Sequence, residues 1–153
     1  MPAESLFGAV QDEHVPDGKR VIRVGLDLTS IASVRGSLEA SGVRFLRRVF
    51  TARELADCGV RVEGGSSPTP PAVRLLAARF AAKEATFKVL QVRDQAVSWR
   101  DVEVVRGACG TLHLLLSGNA ANLALAGGIR ELGLSLAYER GVAAAIVIAS
   151  ANG

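Results

Sequence analysis

The chain has 153 residues, enough for one domain with a real core, and its 49% hydrophobic and 22% charged residues place it among soluble globular proteins. With only 5% aromatics, the interior must be built from Ala, Val, Leu and Ile. A net charge of +3 suits phosphate or an acidic partner but is too small for a nucleic-acid binder, and the longest apolar run, Val142 to Ala149, is too short to cross a membrane.

Residues 1–20 mix Pro, Gly and charged side chains without a period and read as a mobile leader, leaving 21–153 as a single domain. Val21 to Leu28 alternates, with Ile22, Val24, Leu26 and Leu28 on one face and Arg23, Gly25 and Asp27 on the other. This pattern predicts a strand carrying a carboxylate near its C-terminal end. Thr29 or Ser30 then caps a helix to about Ala40. Ser41-Gly42 breaks that helix, and a second amphipathic segment follows at Val43 to Phe50. Phe45, Leu46, Val49 and Phe50 are its inward residues, while Arg44, Arg47 and Arg48 form a cationic surface for solvent or an acidic protein. Thr51 and Glu54 have the spacing of a capping box opening a short helix to about Cys58. Gly59 to Pro71 is a connector rich in turn residues.

The central feature is a helix from about Ala72 to Val92, whose core RFAAKEATFKVL (79–90) has no breaker. Glu84 and Lys88 stand one turn apart on it, a spacing common in structural pairs as well as in sites, and they border a face of Phe and Ala. Asp101 to Arg106 and Thr111 to Leu116 are predicted strands joined by a turn, with His113 read as a surface or satisfied histidine. A small helix from Asn119 to Ala126 ends at Gly127-Gly128, and a last hairpin pairs Leu132 to Tyr138 with Val142 to Ser150. The order predicts an α+β fold with the long helix packed on antiparallel sheet. Cys58 and Cys109 match no metal spacing and no disulfide framework, so a reduced cytoplasmic protein is expected.

Three blocks in register, VGLDL with Asp27, RFLRRVFT (44–51) and RFAAKEATFKVL, together with SWRDVEV (98–104), resemble the holo-acyl-carrier-protein synthase group of the 4'-phosphopantetheinyl transferases. The resemblance implies a fold of two similar α+β halves, assembly as a homotrimer, and transfer of phosphopantetheine from coenzyme A to a serine of an acyl carrier protein. It implies that Asp27 and Glu84 hold Mg²⁺ and that Lys88 contacts phosphate and protonates the leaving group. Lys83 and Arg79 fall on further basic positions assigned to the cofactor, and Arg44 and Arg48 on the surface that meets the carrier protein. Four positions depart from the pattern. Ser30 replaces a glutamate, Gln91-Val92-Arg93 a Gly-x-Gly loop, Gly110-Thr111-Leu112 a Gly-Lys-Pro turn, and Ala137-Tyr138-Glu139 a Ser-His-Thr run. These losses leave open a second reading, a homologue without transferase activity that binds a carrier protein or acts on a carrier-linked intermediate.

Overall fold

The computed structural model describes residues 20–63, 67–93 and 95–152. The leader expected at 1–20 therefore lies outside the described residues, except for Arg20, which begins the first strand. Strand β1 (Arg20–Ser30) pairs antiparallel with β5 (Val142–Asn152) along its whole length, and β5 pairs on its other side with β4 (Ile129–Glu139). A separate antiparallel pair is formed by β2 (Val102–Arg106) and β3 (Leu112–Leu116). The chain is α+β, as the alternation and helical periods predict, with one sheet of three strands and one of two among the described residues.

Helix α3 (Pro70–Val89) lies across both pieces of sheet, touching β1, β5, β2 and β4. It begins two residues before its predicted start because Thr69 caps it and Pro70 and Pro71 occupy its first turn, where a missing N–H costs nothing. It ends at Val89, three residues early. Gln91 N–H reaches the Lys88 carbonyl at 3.1 Å and Val92 N–H the Phe87 carbonyl at 3.1 Å, with Gln91 at φ +54°. That is a Schellman closure with glutamine in the left-handed position that favours glycine.

Helix α3 is buried nearly all round because its surface is alanine: Ala77, Ala81, Ala82 and Ala85 are wholly excluded from solvent. The sheet answers with small side chains of its own, Ala143, Ala145 and Ala149 on β5 and Gly25 on β1. Small against small brings helix and sheet close, so β1 turns Gly25, Asp27 and Thr29 toward the helix. Its aliphatic face, Ile22, Val24, Leu26 and Leu28, remains 50–66% exposed on the far side of the sheet beside Ile146 and Ile148. The alternation marks the strand correctly, yet within one chain the inward residues are the small and polar ones.

Helix α1 (Ile31–Val49) carries the break at Gly42 (φ +48°, ψ −125°), and α2 (Ala52–Asp57) begins with the Thr51–Glu54 capping box. A 3-10 turn at Trp99–Asp101 leads into β2, and α4 (Gly118–Ala126) joins β3 to β4. Among the described residues, no helix is long and apolar enough to cross a membrane.

Candidate active site at the junction of β1 and α3

Asp27 sits on the helix-facing side of β1, near the point where that strand passes over α3. One oxygen of its carboxylate, Oδ1, accepts from Lys88 Nζ at 3.1 Å, and the other, Oδ2, accepts from the Thr29 hydroxyl at 2.8 Å. Lys88 also donates to the Leu26 carbonyl at 2.6 Å, so its ammonium is fastened to β1 by two bonds. The helical spacing suggests a Glu84–Lys88 pair; the structure instead gives Lys88 to the strand and leaves Glu84 half-buried beside it.

The Glu84 carboxyl is pushed above its ordinary range, first by burial and then by the negative charge of Asp27, with Lys88 opposing. Phe80 and Phe87, one turn before and after it, occupy the same helix face and pack on Trp99, with ring centroids 4.7 and 5.1 Å apart. Glu84 thus feels the Asp27 charge in a partly dehydrated corner, at an electrostatic cost that a divalent cation would relieve. The donor set of the two carboxylates is hard oxygen, which fits Mg²⁺, an ion that takes one or two carboxylates and completes its shell with phosphate oxygens and water.

Lys83 and Arg79, expected to serve coenzyme A, do not join this corner. Lys83 is fully buried, 2.8 Å from a Glu54 carboxylate that is equally buried, and it donates to the carbonyls of Trp99 and Val102. Burial lowers its pKa while Glu54 opposes the shift. Glu54 also accepts from the backbone N–H of Thr51 and of Val104, at 2.9 and 3.0 Å, and so ties α2, β2 and α3 together. Arg79 is 1% exposed, donates to the Leu75 carbonyl at 3.4 Å and lies 3.9 Å from Asp57. Both cations lie on the α2-facing side of α3 and act within the core.

Arg44 and Arg48 are exposed on α1, and neither forms an ion pair among the described residues. Ser30, one of the two candidate caps and a departure from the glutamate of the family pattern, caps α1 by accepting from Ser33 N–H at 3.3 Å. Glu139 is open to solvent and lies 3.4 Å from Arg140, which offsets its charge. His113 bonds the Thr111 hydroxyl at 2.9 Å on the surface, as a satisfied histidine should.

Two residues of this corner have no signature in the sequence reading. Thr29 appears there only as a possible cap, although its position two residues from Asp27 on a strand places both on one face. Gly25 reads as an ordinary strand residue, yet a Cβ added there would meet the Ala85 carbonyl oxygen of the helix at 2.0 Å.

A sequence profile described as the 4'-phosphopantetheinyl transferase superfamily matches residues 23–146. The chain is 38% identical over 129 residues to the holo-[acyl-carrier-protein] synthase of Desulforudis audaxviator, covering 84% of this chain and 92% of that protein. It is 41% identical over 136 residues to the protein of the same name from Paramagnetospirillum magneticum, covering 86% and 98%. Among solved structures, the ACPS–CoA complex of Chronobacterium ammoniagenes superimposes with a TM-score of 0.72 at 26% identity, over 87% of this chain and 99% of that one.

Proposed function

The chain belongs to the 4'-phosphopantetheinyl transferase superfamily, and from that premise we propose that it is a holo-acyl-carrier-protein synthase. It transfers phosphopantetheine from coenzyme A to a serine hydroxyl of an acyl carrier protein. The serine oxygen forms a bond to the phosphorus nearer the pantetheine, the anhydride bond to the adjoining phosphate breaks, and the serine proton is released. The leaving group is adenosine 3',5'-bisphosphate.

The observation that carries this reading is the anchoring of Lys88 on α3 to Asp27 on β1, with Glu84 one helical turn from Lys88 and its carboxyl raised by burial and by the Asp27 charge. Asp27 and Glu84 would hold Mg²⁺, which when bound neutralises charge on the pyrophosphate oxygens. Lys88 is the acid of this site: its ammonium, half exposed, lies within reach of a phosphate brought to the two carboxylates, and it supplies a proton to the departing oxygen. Arg44 and Arg48 form the surface for the acidic carrier protein, since both guanidinium groups are exposed and free of ion pairs among the described residues. The bare aliphatic face of β1 and β5 is the contact between three copies of the chain, because a patch of such side chains is costly to leave in water. Free thiols at Cys58 and Cys109 accord with a cytoplasmic setting.

The test is mass spectrometry of an apo-carrier protein after incubation with the purified chain, coenzyme A and Mg²⁺. A gain of one phosphopantetheine on the carrier is expected. Carrier binding without any gain in mass would overturn this reading in favour of a repurposed homologue.

A further inference from the structure

The two oxygens of Asp27 are held by two different donors, and the weaker-looking of them carries information. The Thr29 hydroxyl is 2.8 Å from Oδ2, while Lys88 is on Oδ1. The terminal torsion of an aspartate is a broad two-fold rotor, so a carboxylate held through one oxygen remains free to swing. Held through both, it has one orientation. Each oxygen then keeps a lone-pair direction that neither donor uses.

Thr29 is itself rigidly placed. It is 8% exposed and stands opposite Ala143, a wholly buried residue of β5, in the sheet register. The next residue, Ser30, is fixed as the cap of α1, and Ile31 N–H bonds the Gly141 carbonyl at 2.9 Å. A β-branched side chain on such a backbone has little choice of rotamer, so its hydroxyl direction is set before any ligand arrives. The two adjacent hydroxyls divide the work: Ser30 closes the helix, which leaves Thr29 to serve Asp27. A neutral donor also differs from a second cation at this place. It fixes the carboxylate without cancelling the charge that a divalent ion needs.

We propose that Thr29 is a positioning residue that orients the Asp27 carboxylate for a divalent cation. The inference rests on the reading of Asp27 and Glu84 as metal ligands given above. Loss of the hydroxyl frees the carboxylate to turn both oxygens toward the Lys88 ammonium and away from the ion. Removing a partner that orients a metal ligand typically lowers metal affinity by about 10–100-fold.

The experiment is a titration of the full-length protein with Mn²⁺ in the presence of coenzyme A, following free Mn²⁺ by electron paramagnetic resonance. Thr29→Val keeps the buried volume and removes the donor; Thr29→Ser keeps the donor. The Val variant should bind Mn²⁺ about 10–100-fold more weakly and the Ser variant within about threefold of wild type. Circular dichroism melts accompany each variant, and Thr29→Ala carries the same expectation should the Val variant fail to fold. Wild-type Mn²⁺ affinity in a folded variant without the hydroxyl overturns the inference, as does equal weakening in the Ser variant. Asp27→Asn separates the two levels of the argument. If it abolishes Mn²⁺ binding while Thr29→Val does not, only the role of Thr29 falls; if it leaves Mn²⁺ binding intact, the metal reading of the site falls too.

Discussion

Replacing Gly25 with alanine would place a methyl carbon 2.0 Å from the Ala85 carbonyl oxygen and 2.9 Å from both the Ala85 carbonyl carbon and Val89 Cγ2. Ordinary contact between such atoms lies near ~3.5 Å, so helix and strand must separate by more than about 1 Å at this crossing. Two of the three obstructing atoms, including the nearest, are backbone, so rotating the Val89 side chain would not relieve the clash. The displaced turn of α3 is the one that carries Glu84, and the displaced strand carries Asp27 two residues from the substitution. Overpacking of a tight core costs roughly 1–3 kcal/mol. A misplacement of about 1 Å in a catalytic constellation costs on the order of 100-fold in rate. Gly25→Ala should therefore lower the unfolding free energy by the first amount, read as an earlier denaturation midpoint, and the rate of carrier-protein modification by the second. Gly36 supplies the control: it lies in α1 with open space around an added Cβ. Gly36→Ala should stabilise by about 0.5–1 kcal/mol and leave the rate unchanged. A Gly25→Ala protein with the wild-type midpoint and wild-type rate would refute the claim that this contact sets the spacing of the two carboxylates.

Two further outcomes are expected. Lys83→Met leaves the Glu54 carboxylate buried without its cation, which should cost about 3–5 kcal/mol in urea denaturation; adding Glu54→Gln should recover part of it, and failure of the double variant to recover any would show that the pair does not act as a unit. Glu84→Gln should abolish transfer yet stabilise the metal-free protein at neutral pH. The folded-state pKa of Glu84 is raised, so its contribution to stability is present below the ordinary carboxylate range and is lost as pH rises through the raised value. Glutamine does not ionise, and its advantage over wild type should grow with pH across that window; melts at pH 4 and pH 7 showing no such divergence would contradict the assigned environment.

The fold was legible where a local rule suffices. The Thr51–Glu54 box, the Gly42 break and the last hairpin are each written in a few neighbouring residues, and the structure contains all three. The contact between Asp27 and Lys88 could be anticipated only through the resemblance of three separated blocks, since no spacing rule joins a strand to a helix more than 50 residues away. What stayed hidden depends on which way a face turns. Ile22, Val24, Leu26 and Leu28 announce a strand, but the alanine surface of α3 decides that their face looks outward. Lys83 and Glu84 are adjacent in the chain and both suited to a site, yet a helix sends them in different directions, one into the core with Glu54 and one toward Asp27.

The pairing of β1 with β5 has a consequence for how the protein comes into being. The first of the five strands among the described residues finds its hydrogen-bonding partner in the last, with Arg20 opposite Asn152 and Asp27 opposite Ala145. A chain emerging from the ribosome has made β1, the helices and the β2–β3 hairpin well before β5 exists. Closing so long a loop is slow compared with forming local contacts. Asp27 thus remains on an unpaired strand until the final hairpin arrives, and nascent or truncated chains ending before β5 have no edge on which to fix it. Completion of the sheet and fixing of Asp27 are the same event, so a partly made chain lacks the strand pairing on which the proposed site depends.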